Sequence, residues 1–165
     1  MDIFDILGPV MVGPSSSHTA GAARIGKMAR TLLGGEPMEA KIHLHGSFAE
    51  PGSGHGTDRA LVAGLLGMNP DDMRIPFAFQ EAEKAGLHFT VDKIDLRDAH
   101  PNTAVIEVRD AHGKQLELQA ASIGGGRIVV NKLDGIDVDY ARRTSGQGFY
   151  YLTGDITRLH SAVLT

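Results

Sequence analysis

Residues 102–122, NTAVIEVRDAHGKQLELQAAS, carry the pattern that decides the fold. Their two halves, 102–110 and 114–122, have the length of β-strands and are rich in apolar and β-branched residues that alternate or form short runs. The residues between them, 110–114, have the composition of a tight turn. The stretch therefore predicts an antiparallel β-hairpin.

Comparable segments lie on both sides of this hairpin. Strand-like stretches occur at 39–47, 88–96 and 126–133. Apolar residues three and four positions apart are confined to the first half, where they predict helices at 18–33, 57–68 and 75–85. Because the helices come early and most strands come late, we predict an α+β fold with a mainly antiparallel sheet layered with helices. A doubly wound parallel sheet is not expected.

The composition excludes several classes of protein. The chain of 165 residues reads as one domain, and 42% apolar residues can supply its core. A net charge of −4 without a basic cluster argues against nucleic-acid binding. No apolar run approaches the roughly 20 residues that span a bilayer, and the start is acidic where a signal peptide would be basic. We expect a cytoplasmic protein that binds neither nucleic acid nor membranes.

The sequence contains no cysteine. Disulfide scaffolds, thiol nucleophiles and iron–sulfur clusters held by thiolates are therefore excluded within this chain. Glycine, in contrast, occurs 21 times. So many glycines indicate that backbone conformation and close approach matter at some positions.

The first candidate for chemistry is the segment 13–19, GPSSSHT, at the start of the first predicted helix. It places three serine hydroxyls and the imidazole of His18 at a helix N-terminus, where free N–H groups and a partial positive charge favour a carboxylate or phosphate. The alternative is a capped turn that binds no ligand.

The second candidate is the segment 52–58, GSGHGTD. Glycines on both sides of His55 let the backbone close around a small ligand and let the imidazole project from a helix start. Asp58 can either cap that helix or orient the ring. The alternative is a glycine-rich turn with an exposed histidine, and the flanking glycines favour the functional interpretation.

Three further features are more often structural. HPNT at 100–103 is typical of a turn that leads into a strand, and SIGGGR at 122–127 of a hairpin turn or an anion-binding nest. His43 and His45 lie two apart on a predicted strand and so face the same way, as metal ligands can. No third ligand is placed by spacing, so we do not interpret this pair as a metal site.

Five segments, GPSSSHT, LHGSFA, GHGTD, HPNT and SIGGG, occur in this order along the chain. With them, residues 1–139 resemble the beta chain of the iron–sulfur-dependent L-serine dehydratases, or L-serine ammonia-lyases. We treat 140–165 as a C-terminal extension of uncertain structure and predict no complete regulatory domain of the ACT type there. The predicted fold also resembles the allosteric substrate-binding domain of some D-3-phosphoglycerate dehydrogenases.

The resemblance implies a β-elimination in which L-serine loses water and then ammonia to give pyruvate, a step of amino-acid catabolism that feeds gluconeogenesis. It implies a [4Fe–4S] cluster held by a cysteine-bearing alpha chain and no metal held by this chain, which fits the absence of cysteine. The expected partners are that alpha chain, L-serine and, through homodimerisation, a second copy of the beta chain or of the heterodimer.

The resemblance also implies roles for individual residues. It carries the general base best onto His55, with His18 as a second proton-handling or orienting residue, and it leaves open which of the two is the base. The substrate-binding set comprises Ser15, Ser16, Ser17, Thr19, Gly54, Gly56, Asp58 and Asn102. The chain departs from the family before Gly54, because Pro51-Gly52-Ser53 stands where Thr-Gly-Lys or Thr-Tyr-Lys is usual.

Two other functions are compatible with these residues. In the first, the chain is a regulatory module that binds a small carboxylate or phosphate and moves no proton. In the second, which the residues support least, His43 and His45 form the metal site of a hydrolase.

Overall fold

The computed structural model describes residues 16–50, 56–135 and 162–164. In these ranges the α-helices are α1 (Ser16–Leu33), α2 (Thr57–Leu65) and α3 (Ala78–Ala85). The strands are β1 (Pro37–Gly46), β2 (His88–Lys93), β3 (Asn102–Asp110), β4 (Gln115–Gly124), β5 (Arg127–Asp134) and β6 (Ala162–Leu164). No helix within the described ranges is long and apolar enough to cross a membrane.

The strands form one sheet in the order β2-β1-β3-β4-β5-β6. All neighbouring strands pair antiparallel except β1 and β2, which are parallel from Glu39 opposite His88 to Leu44 opposite Lys93. The predicted α+β fold with a mainly antiparallel sheet is therefore confirmed. The one parallel pair arises because α2 and α3 form a crossover between β1 and β2, and such a connection returns the chain in the same direction.

The predicted hairpin is present as β3 and β4, which pair from Thr103 opposite Ala121 to Arg109 opposite Gln115. Its turn is held by one carboxylate. Oδ1 of Asp110 accepts hydrogen bonds from the backbone N–H groups of His112 and Lys114, both at 2.9 Å. Gly113 has a φ of 85°, a conformation that suits glycine.

The helix boundaries differ from the predictions for local reasons. Helix α1 begins at Ser16, two residues earlier than the periodicity indicates. Helix α2 ends at Leu65 because the chain turns at Gly67, which has a φ of 93°. The third predicted helix begins as a short 3-10 helix, Ile75–Phe77, with a proline in its first turn, and continues as α3 up to the left-handed Gly86.

The core lies between the helices and one face of the sheet. Alternate residues of the central strands, Ala40, Ile42, Leu44, Ala104, Ile106, Val108, Leu116, Leu118 and Ala120, are buried. They form one apolar cluster with side chains from all three described helices. The intervening residues of the same strands, including Lys41, His43 and Glu107, lie on the opposite face.

Helices α1 and α2 touch through glycines. A Cβ atom built on Gly64 would lie 2.1 Å from the carbonyl oxygen of Ala23, and one built on Gly26 would lie 2.2 Å from that of Leu61. Near the starts of the two helices, a Cβ atom on Gly56 would lie 3.4 Å from Oγ1 of Thr19. The contacts advance along both helices in the same direction, so their N-termini lie at the same end of the molecule.

On the opposite face of the sheet, His43 connects three strands. Its Nδ1 lies 2.6 Å from Oδ1 of Asp92 on β2, and its Nε2 lies 2.8 Å from Oε2 of Glu107 on β3. Burial lowers the pKa of His43, but hydrogen bonds to Asp92 and Glu107 and their negative charges outweigh burial and raise the pKa above 6.5. The protonated imidazole therefore stabilises the pairing of β1 with both neighbours.

We predict that Gly64→Ala lowers the free energy of unfolding by about 1–3 kcal/mol, because the methyl group forces the backbones of α1 and α2 apart. We expect this loss of stability even though alanine has a higher helix propensity than glycine. Gly35→Ala is the control, since its Cβ atom meets only the side chain of Asp110, at 3.3 Å. Equal stability of both variants in urea unfolding would contradict the packing described here.

We predict that His43→Gln destabilises the protein more at pH 6 than at pH 9. Since the pKa of His43 is raised in the folded protein, its stabilisation is complete below the pKa of the unfolded chain and is lost as the pH rises through the folded pKa. The difference should be about 1 kcal/mol or less because both carboxylates are half exposed. When His43→Gln is introduced into the double variant Asp92→Asn/Glu107→Gln, its destabilising effect should no longer depend on pH. If the unfolding free energies of the wild-type protein and His43→Gln differ by the same amount at every pH, His43 is not charged in the folded protein.

Candidate functional site

One end of the sheet gathers the segments that sequence analysis selected. Strand β1 ends at Gly46, directly opposite Asn102, where β3 begins. The pairing continues from Thr103 to Ala121 near the end of β4. Because these strand termini lie at the same end of the sheet, the segments LHGSFA, HPNT and SIGGG lie next to one another there.

The starts of α1 and α2 lie at the same end. The side chain of Thr19, in the first turns of α1, faces the backbone of Gly56 at the N-cap of α2. The starts of the two helices thus bring the segments GPSSSHT and GHGTD together, as far as their residues are described. The contact between Gly21 and Ser122 then joins α1 to β4 at the same edge.

Electrostatically, this end favours negative charge. Each helix N-terminus presents N–H groups that have no partner within the helix and carries about half a positive charge. At α2 the N-cap residue is Gly56, which makes no side-chain cap. Two such termini side by side form a setting in which a carboxylate or phosphate is stabilised.

Asp58 lies in the first turn of α2. Its Oδ1 accepts a hydrogen bond from the backbone N–H of Arg59 at 2.7 Å. A carboxylate in this position also interacts favourably with the helix dipole. Asp58 is therefore not the N-cap of α2, which is Gly56, but it satisfies one N–H group of the first turn. Its other predicted role, orientation of His55, stays a prediction because His55 lies outside the described residues.

The HPNT segment is a turn that closes against the end of β1. The backbone N–H of Asn102 donates to Nδ1 of His100 at 2.9 Å, and Oγ1 of Thr103 donates to the carbonyl of His100 at 2.7 Å. The carbonyl of Pro101 accepts from the N–H of Ser47 at 2.8 Å. A side chain on Gly46 would overlap that same carbonyl, so the close approach requires glycine. The predicted turn into a strand is confirmed.

The SIGGG segment ends β4 and turns the chain into β5. Gly124, Gly125 and Gly126 have φ values of 104°, 64° and 77°, which side-chain-bearing residues rarely adopt. A Cβ atom on Gly126 would lie 3.4 Å from Nε of Arg24 and 3.8 Å from Cβ of Ala20. The predicted hairpin turn is confirmed, and it packs against the first half of α1.

The structure describes only part of the predicted site. Thr19 and Gly56 are brought together, Asp58 lies two residues beyond Gly56, and Asn102 begins β3 at the same end. Ser16, Ser17 and His18 form the first residues of α1, and their side chains are not described. Ser15, Gly54 and His55 lie outside the described residues. The catalytic and substrate-binding roles of all these residues stay predictions.

Sequence reasoning missed the contact between Gly21 and Ser122. The sequence pattern places Ser122 at the start of a turn, but it is a fully buried residue of β4 whose Oγ lies against Gly21 of α1. The available signal was Gly21 itself, a glycine beside Ala22 and Ile25 on the buried stripe of an amphipathic helix. A glycine at such a position often marks close packing.

His43 and His45 do not form a metal site with other described residues. Both ring nitrogens of His43 contact carboxylates, and Nδ1 of His45 accepts the backbone N–H of Leu96 at 3.1 Å. No group of three or more potential metal-ligating side chains occurs in the described ranges. The geometry therefore gives these two histidines structural partners.

The family model "Serine dehydratase beta chain" matches residues 1–91. The chain is 51% identical over 136 residues to a probable L-serine dehydratase beta chain of Bacillus subtilis, a match that covers 82% of this chain and 61% of that protein. It is 43% identical over 138 residues to the L-serine dehydratase beta chain of Peptoniphilus asaccharolyticus, covering 83% and 62%. It is 31% identical over 153 residues to L-serine dehydratase 2 of Escherichia coli, covering 78% and 33%.

The chain thus spans about three fifths of the length of the two beta chains and one third of the Escherichia coli protein. The Bacillus and Peptoniphilus proteins carry the words "beta chain" in their names, which imply an alpha chain beside them.

Proposed function

The chain belongs to the serine dehydratase beta chain family, and we propose that it is the beta subunit of an L-serine dehydratase. The enzyme would be an L-serine ammonia-lyase that converts L-serine to pyruvate and ammonia. This chain would supply groups that bind the substrate and move its proton, and it would be active only with an alpha chain. The similarity to two beta chains supports this function.

The observation that carries the proposal is the meeting of the α1 and α2 N-termini beside the start of β3. An amino acid substrate carries a carboxylate, and paired helix N-termini provide N–H donors and positive potential for it. Thr19, whose Oγ1 would lie 3.4 Å from a Cβ atom on Gly56, would add a hydroxyl donor. Ser15, Ser16 and Ser17 would add further hydroxyls, and Asn102, which begins β3 at the same end, would add its amide.

The [4Fe–4S] cluster of this proposal belongs to the alpha chain. The residues of the beta chain do not fit such a cluster, because its usual ligands are cysteine thiolates and the sequence has none. We therefore assign no step of the reaction on this chain to a cluster. The chain's own contribution is the binding of the carboxylate and the handling of the α-proton.

Removal of the α-proton of serine needs a positioned base whose pKa lies near the working pH. Histidine meets this requirement, and we propose His55 as the base, with His18 as the second proton-handling residue. Gly54 and Gly56 would let the backbone approach the substrate closely at this point. Elimination then breaks the bond to the β-hydroxyl, which takes up one proton and leaves as water, and gives 2-aminoacrylate. This enamine tautomerises to the imine, whose hydrolysis gives pyruvate and ammonia.

The direct test is to purify the chain alone and together with its alpha chain under anaerobic conditions and to measure pyruvate and ammonia formed from L-serine. We expect turnover only for the complex. A complex that binds L-serine without converting it would instead indicate the regulatory module that binds small anions.

We predict that His55→Asn lowers the kcat of the complex by about 10²–10⁴, the usual contribution of a general base. Exchange of the serine α-proton with D₂O should fall in parallel, since asparagine cannot accept that proton. His112→Asn is the control because His112 lies in the β3–β4 turn, at the other end of the sheet.

The result for His18→Asn decides between the two histidines. Normal turnover of His55→Asn together with inactive His18→Asn would show that their roles are exchanged. Normal turnover of both variants would place the base on the alpha chain and would contradict the proton-transfer role of this chain.

We predict that Thr19→Val raises the KM for L-serine about 2- to 10-fold, which corresponds to one hydrogen bond, and leaves the melting temperature nearly unchanged. Thr31→Val is the matched control on the same helix, since Oγ1 of Thr31 donates to the carbonyl of Lys27 at 2.9 Å near the far end of α1. An unchanged KM for Thr19→Val would remove Thr19 from the substrate site.

A further inference from the structure

Strand β2 forms one border of the sheet. It pairs with β1 in unbroken parallel register from His88 to Lys93, and no strand or loop of the described ranges pairs with its other side. Proteins commonly protect such an edge with a proline, a bulge or charges, because an open edge can bind a further strand. β2 contains no proline and no bulge, and its carboxylate and its ammonium group, on Asp92 and Lys93, lie together at its C-terminal end. Most of the edge is therefore open to another strand.

Alternate residues of β2 direct their backbone groups outward from the sheet. The N–H of Ile94, directly after β2, donates to the carbonyl oxygen of Leu44 on β1 at 2.9 Å. Backbone groups of successive residues point to opposite sides of a strand, so the even-numbered residues of β2 bond to β1 and the odd-numbered residues face the outer edge. Phe89 and Val91 thus present two N–H donors and two carbonyl acceptors to a further strand.

The side chains of β2 continue the two-faced character of the sheet up to its border. Phe89 and Val91 are half-buried and pack against the core, and the ring centroid of Phe79 on α3 lies 5.0 Å from that of Phe89. Thr90 and the other even-numbered residues are exposed on the opposite face. A strand added at this edge would cover the apolar margin and extend the polar face.

The sequence of β2 is complementary to itself in the antiparallel direction. When Thr90 is placed opposite Thr90 of a second copy, Phe89 lies opposite Val91, and His88 lies opposite Asp92. Thr–Thr pairs, pairs of an aromatic with a β-branched residue, and pairs of opposite charge, here with the histidine protonated, all stabilise antiparallel strands. A register centred on Val91 contains none of these pairs, and one centred on Asp92 places two carboxylates opposite each other.

We propose that the outer edge of β2 is an interaction surface for a second copy of this chain, which pairs antiparallel about a two-fold axis at Thr90. Phe89 and Val91 of each copy then exchange four backbone hydrogen bonds with the other copy. Such a contact is self-complementary, as a two-fold axis requires, and it joins the two sheets into one. It uses the border of the sheet and depends on no property of the candidate site.

A cysteine crosslink tests the register directly, because the chain itself has no cysteine. Opposite residues at a position without backbone hydrogen bonds have Cα atoms about 4.5 Å apart, a distance that a disulfide spans. Full-length Thr90→Cys should therefore form a disulfide-linked dimer on mild oxidation, measured by non-reducing gel electrophoresis. Lys93→Cys is the matched control on the same strand, since its two Cα atoms would lie about 20 Å apart. Equal dimer yields for both variants, or no dimer of Thr90→Cys, would refute the pairing.

Thr90→Asp tests the strength of the contact. It places two carboxylates opposite each other at the two-fold axis, whereas within its own chain position 90 lies opposite Lys41 of β1, which favours a negative charge. In sedimentation equilibrium of the full-length chain, the dissociation constant of the wild-type dimer should rise about 10-fold in Thr90→Asp and stay nearly unchanged in Thr90→Ser. Far-UV circular dichroism shows that each variant is folded. A monomeric wild-type chain, or a folded Thr90→Asp dimer as tight as the wild type, would overturn the proposal.

Discussion

The contact between the backbones of α1 and α2 is the constraint on which the arrangement depends. Gly26 and Gly64 let each helix approach the carbonyl oxygens of the other, and no side chain larger than hydrogen fits at either position. The two helices pack with their backbones in contact and run in the same direction, so their N-termini lie side by side. Parallel neighbours with aligned dipoles are electrostatically unfavourable, and the positive potential that results at one end is the property that a bound carboxylate would use.

Contacts with the sheet fix the position of the same end of the molecule. The close contact of Gly21 with Ser122 seats α1 on β4, and Gly46 lets the turn at Pro101 close against β1. In each case a glycine allows backbone to meet a partner that any side chain would displace. The high glycine content of the sequence thus has a specific meaning here, because these glycines bring segments that are distant in the chain to one edge.

Much of the fold was predictable because its elements have strong local signals. The β3–β4 hairpin follows from the strand pattern around the 110–114 turn, and α1 from its apolar stripe. The parallel pairing of β2 was not predictable from alternation, since a strand pattern carries no information about direction. The site was predictable as a set of segments, but the contact of Gly21 with Ser122 was not, because it depends on how deeply a helix settles on a sheet.

The composition of this end suits the binding of a carboxylate without a cationic side chain. Helix N-termini and hydroxyls can bind a carboxylate without introducing a full positive charge that would itself titrate. The buried hydroxyl of Ser122, which has no hydrogen-bond partner among the described residues, costs stability. Native proteins tolerate a few such groups, because the cost of each is small beside the total free energy of unfolding.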